Sequence, residues 1–161
     1  PLEIDLAETQ RITVVDNAGS LVAASFAAAP GPSNLKLTVA AFDNKTLGAL
    51  GESLGANETV GGAWNFIMSE GSISAENPAY LSFRIGSGRS LDGLDVWHYD
   101  GSSWTEYVPQ DLSYDGTYAN FTVTGFSGYA VTAAVPEPGT FTLLIAAGLL
   151  LLARTWRTRM G

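Results

Sequence analysis

The side chains best suited to chemistry in this chain are its single histidine, its carboxylates and its aromatic rings. A catalytic histidine needs a nucleophile or an orienting carboxylate beside it, and no nucleophile motif such as G-x-S-x-G accompanies His98. A zinc site normally takes a second histidine or a cysteine, and the sequence has neither. We therefore expect neither catalysis nor zinc binding at His98, and we predict no cofactor.

The carboxylates are numerous, but their spacing is not that of a metal-binding loop. Asp92, Asp95, Asp111 and Asp115 do not follow the D-x-[DN]-x-[DN]-G pattern of a calcium loop. We expect solvated turn residues here, and a weak calcium site near either pair stays open as the alternative. The paired carboxylates of a glycosidase can be distant along a chain, so spacing alone does not exclude them.

The aromatic rings offer a third kind of chemistry, the stacking of sugar rings. The candidates are Trp97, Tyr99, Trp104 and Tyr107. Strand alternation places Trp97 and Tyr99 on one face of their strand and Val96 and His98 on the other. Because large rings also supply most of the buried area of a small core, we favour a structural role over an exposed binding row. Tyr129 is expected to be a corner tyrosine whose hydroxyl bonds back to the main chain.

The segments that must position these residues have the period-two hydrophobic pattern of β-strands, broken by turn residues. Nine strands are predicted, at residues 11–16, 21–28, 35–42, 63–69, 80–85, 94–99, 104–108, 117–124 and 129–132. Asp100-Gly101 and Asp115-Gly116 predict type I′ hairpin turns, which need positive φ at both central residues. Residues 44–61 are interpreted as a long loop with at most one helical turn. We therefore expect an all-β antiparallel β-sandwich, immunoglobulin-like in outline.

Residues 134–161 form a tail that differs in composition from the body, residues 1–133. Pro136 and Pro138 disfavour helix upstream, and a helix over residues 140–156 would span roughly 25 Å at about 1.5 Å per residue. That length is slightly short of a hydrocarbon core of about 30 Å, so a buried core helix is the alternative. The tail carries the apolar residues Leu143, Leu144, Gly148 and Leu149 and the basic residues Arg154, Arg157 and Arg159. Because the helix is apolar all round and ends in arginines, we predict a single transmembrane helix with a cytoplasmic C-terminus.

The chain has a net charge of −8, and its charged residues are unevenly distributed along the sequence. Three of the eight basic residues lie in the tail, so the body is more acidic than the whole chain. An acidic body cannot supply the phosphate-neutralising patch that nucleic-acid binding requires. The absence of cysteine removes disulfides, thiolate metal sites and cysteine nucleophiles. No export signal pattern lies within residues 1–30, so we expect any such signal to precede Pro1.

The tail combines three features, which are the sequence Val135-Pro136-Glu137-Pro138, the apolar helix and the terminal arginines. Together they resemble the PEP-CTERM sorting signal of exopolysaccharide-producing Gram-negative bacteria. The resemblance covers residues 135–159, and one departure is that Thr155, Trp156 and Thr158 interrupt the basic cluster. In that family the Pro-Glu-Pro motif is recognised by exosortase, a membrane-embedded cysteine protease-transpeptidase. The resemblance implies that this chain is a substrate of such an enzyme. Inner-membrane lipid would then be a transient partner, with the body periplasmic before processing.

Residues 80–131 carry a second resemblance, in the stretches LSFRIG, LDVWHYDGSSWTEY and GFSGYAV. These are similar to the C-terminal half of β-sandwich modules found just before sorting tails in secreted bacterial proteins. We expect a non-enzymatic structural protein of the cell surface or exopolysaccharide matrix. The alternatives are a carbohydrate-binding module that grips exopolysaccharide through exposed Trp and Tyr, and a membrane-anchored hydrolase facing the periplasm.

Overall fold

A computed structural model describes residues 2–5, 10–15, 21–26, 34–70 and 73–135. The strands in this part of the chain are β1 (Leu2–Asp5), β2 (Gln10–Val15), β3 (Leu21–Phe26), β4 (Asn34–Ala41), β5 (Glu58–Glu70), β6 (Ala79–Arg84), β7 (Leu94–Tyr99), β8 (Trp104–Tyr107), β9 (Ser113–Tyr114), β10 (Tyr118–Val123) and β11 (Gly128–Ala134). Helix α1 is Asn44–Ser53, and a 3-10 turn covers Leu91–Gly93. Within these described ranges no helix is long and apolar enough to cross a membrane.

The strands form two antiparallel sheets with one hydrophobic core between them. The six-stranded sheet has the order β1-β4-β5-β11-β7-β8, and the five-stranded sheet has the order β2-β3-β6-β10-β9. The core combines Trp64, Phe66 and Val96 of the first sheet with Leu81, Phe83 and Phe121 of the second. Phe66 and Phe83 meet across the interface with ring centroids 6.3 Å apart. This architecture confirms the predicted all-β, antiparallel fold.

All nine predicted strands are present, and two further strands were not predicted. β9 has only two residues, which is too short for an alternating pattern to be recognised. β1 has four residues and pairs along the outer edge of β4. Short edge strands of this kind take their conformation from the partner strand rather than from their own sequence.

The expectation of a long loop over residues 44–61 is wrong, because α1 occupies Asn44–Ser53 and β5 already begins at Glu58. Asp43 caps the helix, since its Oδ1 accepts a hydrogen bond from the main-chain N–H of Thr46 at 2.7 Å. Gly48 and Gly51 weaken the local helix signal in the sequence. Leu50 is fully buried, and this tertiary packing stabilises a helix whose intrinsic propensity is low.

β11 is buried on both faces. It lies between β5 and β7 at the centre of the six-stranded sheet and is hydrogen-bonded to both. Tyr129 and Val131 face the core, and Ala130 and Thr132, on the opposite face, are fully buried as well. On that outer face the indole N–H of Trp97 donates to Oγ1 of Thr132, and α1 packs against the neighbouring strand β5 with Leu50 buried. The last strand of the body is therefore enclosed on both sides.

Both Asp-Gly sequences form hairpin turns, but not of the predicted type. In the described part of the chain positive φ occurs only at glycines, so the turn after β7 has positive φ at Gly101 and not at its neighbours. Gly101 is the first central residue, as in type II′ turns. Asp100 precedes it, and its Oδ1 accepts from the main-chain N–H groups of Ser102 and Ser103, both at 2.8 Å. These bonds lower the pKa of Asp100 from 3.8 to about 2.

The turn between β9 and β10 has the same construction. Gly116 has a φ of +96°, and Asp115 Oδ1 accepts from the main-chain N–H groups of Thr117 and Tyr118 at 2.9 and 2.7 Å. Those bonds lower the pKa of Asp115. Asp therefore precedes Gly in these turns because its carboxylate accepts main-chain hydrogen bonds at the start of the turn. It does not adopt the left-handed backbone conformation.

Replacing Gly128 by alanine is expected to destabilise the protein by about 1–3 kcal/mol through overpacking. A Cβ at Gly128 would lie 2.4 Å from Phe42 Cζ and 2.7 Å from Tyr99 Cβ. Gly125→Ala is the matched control, because a Cβ there meets nothing within 4 Å. Urea unfolding of both variants in mild detergent measures the difference, and equal midpoints would contradict the close packing at Gly128.

Asp100→Asn is expected to lower the melting temperature at pH 7 and to lose this effect in acid. The folded-state pKa of Asp100 lies below its usual value, so its contribution to stability is present above about pH 4 and disappears as the pH falls toward 2. Thermal melts at pH 7, 4 and 3 measure the trend, with Asp92→Asn as an exposed control. A difference between wild type and D100N that is equally large at all three pH values would contradict this origin.

Candidate functional site

Three of the four predicted stacking residues share the outer face of the six-stranded sheet. Trp97 and Tyr99 lie there because they alternate with Val96, which is buried in the core. Trp104 pairs directly with Tyr99, and the two ring centroids are 5.0 Å apart. All three side chains are half-buried rather than fully exposed.

Tyr107 is not part of this surface. It pairs with Val96 and therefore faces the core, where its ring lies 5.7 Å from that of Tyr129. Its hydroxyl donates to the main-chain carbonyl of Thr122 at 3.0 Å. Burial raises the pKa of Tyr107, and the negative charge of Asp111 adds to the rise. The structure thus separates Tyr107 from the other three candidates.

Of the rings on the outer face, Trp104 bonds to α1 and Trp97 bonds within the sheet. The indole N–H of Trp104 donates to the carbonyl of Thr46 in α1 at 3.0 Å, and the indole N–H of Trp97 donates to Oγ1 of Thr132 at 3.2 Å. Phe42, just before the helix, packs against Trp104 with centroids 5.0 Å apart. Both indole donors are therefore used internally. No local signal in the sequence marks Phe42, because its ring partners Tyr99 and Trp104 lie far away along the chain.

His98 belongs to the packing of the core side. Its ring centroid lies 5.3 Å from that of Tyr129. The hydroxyl of Tyr129 donates to the carbonyl of Gly125 at 2.8 Å, which confirms the predicted corner tyrosine. Burial raises the pKa of Tyr129 to about 12, so the phenol is a proton donor to the main chain at physiological pH. This is a structural arrangement of rings rather than a pairing of a base with a nucleophile.

The aspartates of the two candidate calcium regions have different roles. Asp111 accepts from both the main-chain N–H and the hydroxyl of Thr122, and Asp115 organises its turn. Asp92 is exposed in the 3-10 turn. Burial raises the pKa of Asp95, and the neighbouring carboxyl group of Glu58 raises it further. In the part of the chain that the structure describes, no group of three or more acidic or histidine side chains could hold a metal ion.

A groove of about 440 Å³ opens where the turn after β7 meets the segment before β11. Its walls include Asn65, Phe66, Ile67, Tyr99, Phe126 and Gly128. Asp100 also lines the groove, but its carboxylate already accepts hydrogen bonds from the main chain and hydroxyls of Ser102 and Ser103. Tyr99 is the one stacking candidate that reaches the groove. Trp97 and Trp104 are not among the residues that line it.

The end of β11 is where the described body meets the predicted sorting motif. β11 ends at Ala134, one residue beyond the predicted body boundary at residue 133. Val135 follows, and its N–H donates to the carbonyl of Asn57 at 2.7 Å. The carbonyl of Ala134 accepts from Nη1 of Arg89 at 2.8 Å. No local signal in the sequence marks Asn57 or Arg89, since both contacts join segments far apart along the chain.

The other residues of the predicted sorting motif, membrane helix and basic end lie outside the described residues. They are Pro136, Glu137, Pro138, Leu143, Leu144, Gly148, Leu149, Arg154, Arg157 and Arg159. The sorting motif and the transmembrane helix therefore stay predictions from the sequence.

Comparison of the chain with protein-family models, curated proteins and solved structures finds no match. The fold and the contacts described above, together with the tail sequence, are therefore the basis for the proposed function.

Trp104→Phe is expected to destabilise the protein by about 1 kcal/mol, because it keeps an aromatic ring but removes the hydrogen bond to Thr46. Tyr80→Phe serves as the control, since Tyr80 is 51% exposed. Urea unfolding monitored by circular dichroism measures both changes. An unchanged midpoint for W104F would contradict a role for this ring in fixing α1 to the sheet.

Proposed function

We propose that this protein is an exported structural component of the cell surface or exopolysaccharide matrix, sorted and cleaved through its C-terminal tail. The observation that carries the proposal is the order of elements in residues 135–159. A Val-Pro-Glu-Pro sequence is followed by an apolar segment long enough for a short membrane helix and then by three arginines. The motif begins at Val135, directly after the last strand of the folded body.

The body is proposed to act as a scaffold with an immunoglobulin-like outline. Two antiparallel sheets with a shared core and a corner tyrosine support that outline. The internal hydrogen bonds of Trp97 and Trp104 support a structural use of the rings. The acidic composition of the body, which is unsuited to nucleic-acid binding, is compatible with a location in a hydrated polysaccharide matrix.

Sorting is proposed to proceed in two steps. The helix over residues 140–156 first holds the chain in the inner membrane, with Arg154, Arg157 and Arg159 on the cytoplasmic side and the body in the periplasm. An exosortase-type protease then recognises Pro136-Glu137-Pro138 and separates the body from the membrane helix. The released body is then proposed to reside in the exopolysaccharide matrix.

The test is the C-terminal mass of the protein recovered from its native host. We expect a product that lacks the apolar segment and is found at the cell surface or in the matrix. Replacing Pro136, Glu137 and Pro138 by alanine is expected to abolish this product and to leave the full chain in the inner membrane. The matched control is Glu76→Ala with Pro78→Ala, which alters the same residue types inside the body.

An intact chain ending at Gly161 in wild-type cells would contradict the proposal. Equal processing of the motif variant and the wild type would contradict the role of the motif. In the first case the tail would be a plain anchor, and the body would work at the periplasmic face of the membrane.

A further inference from the structure

The peptide unit that joins Ala134 to Val135 has both of its polar groups hydrogen-bonded to the body. Its carbonyl oxygen accepts from Nη1 of Arg89 at 2.8 Å, and its N–H donates to the carbonyl of Asn57 at 2.7 Å. The bond to Asn57 continues the ladder that pairs β11 with β5, in register with the pair Ala134–Glu58. The bond from Arg89 lies beyond the ladder that pairs β11 with β7, which ends at Ala133. The two bonds extend the fixed backbone to Val135, although Ala134 and Val135 are exposed.

Arg89 is brought to this peptide unit by a constrained loop between β6 and β7. Gly86 and Gly88 have φ values of +82° and +79°, which side chains other than glycine rarely adopt. The hydroxyl of Tyr114 donates to the carbonyl of Gly86 at 2.6 Å and fixes the start of the loop. On the far side, a Cβ at Gly93 would lie 3.2 Å from Cβ of Ala134, so the chain following Arg89 also packs against the end of β11.

The residue after Val135 is Pro136, which has no N–H to donate. Val135 is thus the last residue whose main-chain N–H can be held by the body before the Pro136-Glu137-Pro138 sequence. Val135 itself is 40% exposed. The end of the clamped backbone and the start of the predicted recognition sequence therefore coincide.

We propose that Arg89 and the carbonyl of Asn57 form a clamp that sets the N-terminal limit of processing, so that the protease cuts only on the carboxyl side of Val135. This inference rests on the proposed function, since it deepens the account of the cleaved segment. A protease binds its substrate as an extended, accessible strand, and the residues up to Val135 are held in the body. Cleavage breaks one peptide bond, passing the acyl group of the body to water or an acceptor amine, while the tail keeps the freed amino group.

The clamp itself is tested without any protease, by hydrogen exchange of the Val135 amide in the full chain in detergent micelles. The wild-type amide is expected to exchange more slowly than the same amide in an unstructured peptide of residues 130–138. Arg89→Ala should accelerate exchange roughly three- to tenfold, the effect of losing one hydrogen bond to a charged donor at an exposed site. Arg84→Ala is the matched control, because Arg84 is an exposed arginine of β6 in the other sheet. Equal rates for R89A and wild type, or the same acceleration in R84A, would overturn the clamp.

The effect of the clamp on processing is tested by measuring the C-terminal mass of the wild type, R89A and R84A recovered from the native host. Wild type and R84A are expected to end at or beyond Val135, whereas R89A should add products that end before Val135. An R89A product identical in its end to the wild type would overturn the limiting role. If the wild type is not cleaved at all, the sorting proposal fails, and the exchange measurement still decides whether the clamp exists.

Discussion

The burial of β11 on both faces is the constraint on which the rest of the structure depends. This strand is the last one of the body in sequence, and it lies inside the larger sheet, between β5 and β7. Its inward side needs large residues for the core, and Tyr129 and Val131 meet that need. Its outward side needs small ones, and at Gly128 the ring of Phe42 approaches so closely that a Cβ would overlap it. One strand therefore requires large side chains on its inward face and small ones on its outward face.

The outward face of β11 also explains the helix and the aromatic rings. On this side the indole N–H of Trp97 donates to Oγ1 of Thr132, and α1 packs against the neighbouring β5 with Leu50 buried. Trp104 then ties α1 to β8 through the carbonyl of Thr46. Trp104, which first suggested a sugar-binding surface, attaches the helix, and Trp97 bonds to Thr132 within the sheet. Half-buried aromatic side chains with their N–H donors satisfied favour this structural use.

How much of this the sequence predicts depends on the range of the interactions involved. Period-two alternation predicts the strands well, and Phe126-Ser127-Gly128-Tyr129 predicts the corner tyrosine because the bond to Gly125 is local. The sequence does not predict α1, because its glycines lower its helix propensity and because the burial of Leu50 and the hydrogen bond from Trp104 stabilise it. The face of Tyr107 depends on its register with Val96, and the contact of Arg89 with Ala134 depends on a folded loop. Neither can be inferred from neighbouring residues.

In the proposed function, the tail carries the sorting information and the body is passed to its destination as a folded unit. The most direct test is to transfer residues 135–161 to an unrelated exported reporter in the native host and to measure the C-terminal mass of that reporter. If the motif, helix and arginines suffice for recognition, the reporter is expected to lose the apolar segment and to leave the inner membrane. A reporter that keeps its full mass and stays in the inner membrane would contradict it.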